Sequence, residues 1–294
     1  MSGLSERAVI AVLHMGSWTG KAVDRAVTED VSETHKADLK DAGRYTKQLI
    51  GTHFLKPVNN VASLASRTHR ILTLPWEDGG ARILSTTGHQ YYTEQMRLLR
   101  LKYMAAAQEF AANLDEYVKE AKPRLGTMFN SDDYPSMAEV AQKFWFDVEI
   151  KGVPEAGDFR AKLSDASVKA IVKDIENRAD ARLQSAMNDV FQRILDVTGH
   201  MVERLKNYKP PVGRAKGEKG TNFQDSTVYN IKELADILPA LNLTNDQRLV
   251  DLQQRLIDDL VEHSPEILKA DPKARSETAR KAEKIYSKVK GFLA

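Results

Sequence analysis

Apolar residues recur at alternating steps of four and three from 88 to 122, through Tyr92, Met96, Leu99, Tyr103, Ala106, Phe110, Leu114, Tyr117 and Ala121. That spacing, close to 3.5 residues per repeat, predicts a long helix with one apolar seam. A second stripe runs from 164 to 208 through Val168, Val172, Ile175, Ala179, Leu183, Met187, Val190, Ile194, Val197, Met201 and Leu205. Three consecutive fours around Ala179 read there as a stutter. At 1.5 Å per residue the two helices are roughly 50 and 65 Å long, too long to be stable without a partner. Thr86 or Thr87 offers a cap for the first, Pro123 and Gly126 end it, and Ser164 or Asp165 caps the second. The short connection between them predicts an antiparallel, coiled-coil-like helical hairpin.

Shorter patterns surround the pair. Residues 7–15 are nearly all apolar and read as a buried strand, followed by Gly16-Ser17-Trp18-Thr19-Gly20-Lys21 and a helix from Lys21 to about Thr28 with Trp18 packed beneath the turn. Val61–Leu72 reads as a helix after Pro57. Asp78-Gly79-Gly80 between short apolar runs marks a hairpin. Alternation over Phe144, Phe146, Val148 and Ile150 predicts a half-buried strand that pairs with Ala8–Leu13. Beyond 222 the pattern is helical: Ser226–Leu238, Asn245–His263 and a basic helix over Ser276–Phe292, with Ala279, Ala282, Ile285, Tyr286 and Val289 on one face. The expected fold is therefore mainly α, with the hairpin, a small β element at one end and a helical C-terminal appendage. The expected domains are an N-terminal α+β region over 1–208, a basic Pro/Gly linker over 209–222 and a helical tail over 223–294.

Composition narrows the chemistry. The chain has no cysteine, which removes disulfides, thiolate metal sites and cysteine nucleophiles. Its longest apolar run, Ala8–Leu13, is too short to span a bilayer and lacks the basic start of a secretory leader, so the chain reads as cytoplasmic with no membrane partner. A net charge of +2 conceals segregation. Residues 206–220 carry five basic side chains against one acidic, 221–268 three against nine, and 269–294 eight against three. The acidic and basic tail blocks suit packing on each other, and the basic segments suit a polyanion.

Known catalytic patterns are missing. Between Gly16 and Gly20 stand three residues where a phosphate loop has four, and Ala22 occupies the place of its hydroxyl. No two of the seven histidines are three to five residues apart, so there is no local zinc pair. The acidic doublets Glu29-Asp30 and Asp132-Asp133 read as solvated caps. No catalytic, cofactor or metal-ligating residue is assigned, and no enzymatic activity is expected. Three groups have binding chemistry instead. Arg44, Tyr45 and Lys47 form a compact basic and aromatic set, suited to phosphate contacts and base stacking or else to an exposed helix start whose tyrosine covers the core. Trp76 and Arg82 flank the glycine-pinned turn, where a buried Trp76 is the structural alternative. Lys206, at the end of the second long helix, and Lys209, Arg214, Lys216 and Lys219 of the linker form the third group.

The runs Gly16-Ser17-Trp18-Thr19-Gly20-Lys21-Ala22, Asp41-Ala42-Gly43-Arg44-Tyr45, Leu74-Pro75-Trp76 and Phe144-x-Phe146-x-Val148 resemble an uncharacterised family of bacteriophages and some bacteria, over roughly residues 8–205. Members sometimes lie beside MoxR-type ATPase and von Willebrand-type genes, which implies a protein partner at most and assigns no site residue. The expectation is a non-enzymatic, phage-type accessory protein that forms homo-oligomers and binds DNA, preferably single-stranded, through the basic and aromatic residues named above. The alternative is a protein-interaction module, such as an adaptor for an AAA-type ATPase or an inhibitor of a host protein.

Overall fold

A computed structural model describes residues 3–154, 165–209 and 223–293. The chain opens with a single helical turn, α1 (Leu4–Arg7), and strand β1 (Ala8–Gly16). Strand β2 (Lys21–Val23), helix α2 (Arg25–His35) and strand β3 (Thr46–Gln48) follow. Next come α3 (Lys56–Leu72), the hairpin strands β4 (Leu74–Pro75) and β5 (Arg82–Ser85), and α4 (Thr86–Ala112). After α5 (Leu114–Leu125) and α6 (Met137–Lys143), strand β6 (Trp145–Gly152) leads towards α7 (Asp165–Lys206). The last part holds α8 (Ser226–Leu241), α9 (Gln247–Arg255) running into a π turn over Leu256–Leu260, α10 (Pro265–Ala270) and α11 (Pro272–Leu293). The fold is mainly helical with a small antiparallel sheet.

That sheet has the order β4-β5-β1-β6, which places the predicted Phe144–Ile150 strand beside the first one. β1 and β5 pair in the register Ala8↔Ser85 to Ala11↔Arg82. The hairpin turns where expected, through Gly79 and Gly80 at φ 92 and 98, values open to glycine at no steric cost. Local caps set several helix starts. Ser85 Oγ accepts from the Gly88 amide at 3.0 Å at the head of α4, and Ser136 and Glu139 form a reciprocal capping box on α6.

The chain divides into two compact units. One comprises Met1–Val12, Arg70–Tyr92 and Ile150–Ala294. Its core is the expected α7 stripe from Ala179 onward, where Met187, Val190, Ile194, Met201 and Leu205 are buried. The principal partners of α7 are α11 and α8, through Ala282, Ile285 and Val289 on one side and Ile231, Ala235 and Leu238 on the other. Residues 223–293 thus belong to the same unit as α7. The segregated charges pair within it: Lys281 Nζ lies 3.1 Å from Glu262 and 3.7 Å from Asp259, and Lys269 meets Asp225. The expected linker over 209–222 falls outside the described residues except for Lys209.

The other unit comprises Leu13–His69 and Thr93–Glu149. Here the α4 stripe is covered by aromatic rings rather than by a second long helix. Phe110 lies 6.1 Å from Trp18 and 5.6 Å from Phe144 between ring centroids, and Tyr103 lies 5.9 Å from Phe146. The Tyr103 hydroxyl donates to the Gly16 carbonyl at 2.6 Å. Two helices expected to pair as a hairpin therefore lie, for most of their length, in different units with different neighbours. The first is also not continuous. Asn113 Nδ2 donates to the Glu109 carbonyl at 2.8 Å, a local bond that competes with the helical ladder, and the helix breaks there into α4 and α5. A further correction concerns Lys21–Thr28. Its first residues form β2, paired with β3 from Lys21↔Gln48 to Val23↔Thr46, and the helix begins only after Asp24.

Candidate functional site

In the second unit, α2 and the chain that returns beside it enclose the site. Asp24 caps α2, its carboxylate accepting from the Val27 amide at 3.2 Å. The Thr28 hydroxyl donates to the Asp24 carbonyl at 2.6 Å and accepts from the Tyr45 amide at 3.0 Å. The Asp24 amide in turn donates to the Tyr45 carbonyl at 3.0 Å. At the far end Lys36 adopts the left-handed conformation (φ 50), and Ser32 Oγ donates to the Ala37 carbonyl at 2.7 Å. The chain then turns on Asp38, whose carbonyl accepts from the amides of Asp41 and Ala42, and passes Gly43 at φ 84. Both ends of α2 are therefore tied to the returning segment.

Between them lies an open cavity of about 660 Å³, within the roughly 300–1,000 Å³ that suits a small ligand. Arg25, Lys40 and Arg44 line it and are exposed. Among the described residues none of the three has an ion-pair partner, nor has Glu29, which also lines the cavity. Val23 and Leu39 complete the wall, each 49 % exposed, and Tyr45 is exposed next to Arg44.

Lys47, only three residues from Arg44, is spent inside the protein. Its ammonium is 6 % exposed and lies 2.9 Å from Asp24 Oδ2 and 2.6 Å from Asp133 Oδ2, while it donates to the Met128 carbonyl at 3.0 Å. Burial works to depress its pKa, but the two carboxylates outweigh it and raise the value. Lys47 in its turn holds the Asp24 carboxyl below the usual aspartate range, helped by the Val27 amide. The lysine is a strut beneath the site, and cannot reach a ligand from there.

Trp76 and Arg82 are structural as well. Trp76 is buried, so its face is closed to a stacking base. Arg82 donates to the Thr73 hydroxyl at 2.7 Å and to the carbonyls of Thr73 and Arg70 at 3.0 and 3.3 Å. Arg193 reaches the same helix end, donating to the carbonyls of Ile71, Thr73 and Arg70 at 2.8, 2.8 and 3.0 Å. Two guanidiniums thus satisfy the last carbonyls around the C-terminus of α3, where the helix dipole favours positive charge. Burial, reinforced by the neighbouring Arg193, pushes Arg82 down to about 10. Lys206 pairs with Glu283 at 2.7 Å, and Lys209 is exposed. Arg214, Lys216 and Lys219 lie outside the described residues.

Of the described residues singled out from the sequence, only Arg44 stands in the cavity wall, with Tyr45 next to it in the chain. Arg25 and Lys40 were missed because nothing in a polar stretch separates a cation at a cavity from one in open water. No family model matches the chain, and neither a curated protein nor a solved structure matches it. Among the described residues no group of three or more His, Asp or Glu side chains is arranged to hold a metal ion, and no helix is long and apolar enough to cross a membrane.

Proposed function

We propose that the protein is a non-enzymatic accessory protein that binds single-stranded DNA at the α2 cavity. The observation that carries this reading is the set of three unpaired cations, Arg25, Lys40 and Arg44, around one open cavity whose remaining wall is partly apolar. Neighbouring cations with no carboxylate partner repel each other, and an anionic strand relieves that repulsion while releasing its own counterions. Fluorescence anisotropy with labelled single-stranded and duplex DNA at several salt concentrations tests it. Single strands should bind more tightly, with affinity falling steeply as salt rises. The Arg25→Ala/Lys40→Ala/Arg44→Ala variant should lower the magnitude of the log–log salt slope by about 2, from three lost contacts at roughly 0.7 each. Lys206→Ala, which removes a cation already paired with Glu283, should leave the slope unchanged. Absence of binding at low salt would refute the proposal.

A second reading, a protein-interaction module such as an ATPase adaptor or an inhibitor of a host protein, draws on α4. Leu98 and Leu101 are 39 % and 57 % exposed, and their spacing of three puts them on one helix face. Leu98→Glu/Leu101→Glu would abolish a protein contact made there and leave DNA binding intact.

A further inference from the structure

Glu29 is out of place in a site built only to hold phosphate. It stands one helical turn from Arg25 on α2, lines the same cavity as the three cations, and pairs with none of them. A carboxylate there weakens attraction for any phosphate by like-charge repulsion. Its free oxygens nevertheless supply strong acceptors, and the exocyclic amino group of a nucleobase is a matching donor. Val23 and Leu39, both half exposed on the same wall, offer apolar surface to the face of a base. Thr28, the hydroxyl in the lining, has its one proton committed to the Asp24 carbonyl and already accepts from the Tyr45 amide, so Glu29 is the free anionic acceptor on this wall.

Resting on the DNA-binding reading, we infer that the cavity takes one unstacked base and selects a base carrying an exocyclic amino group over thymine. The cations hold the flanking phosphates, the aliphatic pair covers the base, and Glu29 accepts from its amino group. Thymine presents a carbonyl oxygen at the corresponding position, which faces the carboxylate as acceptor against acceptor. A duplex is disfavoured because its bases are stacked and their amino groups paired.

The test compares oligo(dC) with oligo(dT) of equal length, two pyrimidine strands of equal charge, on the full chain. The wild type should bind oligo(dC) about fivefold more tightly, a modest value for a charge-assisted hydrogen bond near solvent. Glu29→Ala should strengthen binding of oligo(dT), by removing a negative charge, and bring the ratio of the two strands to about one. Leu39→Ser should weaken both strands by a similar factor and leave a strand of abasic sites unaffected. Circular dichroism confirms that each variant folds. Equal affinity of the wild type for the two strands, or a preference that survives Glu29→Ala, overturns base selection alone. Failure of both strands to bind overturns the DNA-binding reading and this one with it.

Discussion

Charge burial at Lys47 ties the site to stability. Removing an ammonium that bridges Asp24 and Asp133 leaves two carboxylates facing each other in a partly enclosed space, and breaking a buried pair costs about 3–5 kcal/mol. Lys47→Met should therefore lower stability in urea unfolding by about 3 kcal/mol at neutral pH. The pH dependence follows from the two shifts. Asp24 is depressed in the folded state, so its contribution is present above the ordinary value of 3.8 and is lost as pH falls through the lower folded value. Lys47 is raised, so its contribution persists below 10.5 and disappears only as pH rises past the higher folded value. The gap between wild type and Lys47→Met should stay flat from pH about 5 to 9 and narrow outside that window at both ends. A gap independent of pH would exclude the ion triad as its cause. The sequence grouped Lys47 with Arg44 and Tyr45 by proximity along the chain. Burial separates them: Arg44, Tyr45 and Thr46 are exposed while Lys47, inside β3, is buried, and the acids that meet Lys47 are distant in sequence. Only coordinates could reveal those partners.

Helix positions were more legible than helix partners. Turn residues act within a few positions, so the glycines of the β4–β5 turn announce themselves locally. An apolar stripe states only that something must cover it. On α4 that covering is Trp18, Phe144 and Phe146, and on α7 it is α11 and α8. The α7–α11 contact has a feature with no sequence signal, Gly199 in mid-helix. A methyl group added there would lie 2.9 Å from Cε2 of Tyr286, closer than packed atoms tolerate. Gly199→Ala sets two effects against each other: a gain of about 1 kcal/mol in helix propensity and an overpacking cost of about 1–3 kcal/mol. The net expectation is destabilisation by about 1 kcal/mol. In a Tyr286→Leu background the obstruction is gone, and the same substitution should become stabilising. Thermal unfolding of the four proteins in this double-mutant cycle checks the sign reversal, and Gly199→Ala having the same effect in both backgrounds would refute close packing as the reason for the glycine.

Over the whole chain, the decisive question is whether residues 223–293 form an appendage or part of the body. Their spacing from α7 by a basic Pro/Gly-rich stretch suggested a separate tail, because composition marks exposed connections and is silent on what folds back across them. In the structure their apolar faces pack on one another and share a core with α7. Ile231, Leu238, Leu252, Leu256, Ala282, Ile285 and Val289 join Met187, Val190, Ile194 and Met201 in one cluster. Arg248 adds a clamp, its guanidinium 5.1 Å from the ring centroids of both Phe191 on α7 and Phe292 on α11. A chain ending at Lys209 would expose the buried side of α7 to water, at roughly 25 cal/mol for each Å² of apolar surface uncovered. Such a truncation should lose cooperative thermal unfolding of this unit, bind a hydrophobic dye and associate in light scattering. The fragment 223–294, deprived of α7, should fail to fold in isolation. A truncated chain that stays monomeric, silent to the dye and cooperative would show instead that the C-terminal helices are a separate domain, and that α7 finds its apolar cover elsewhere.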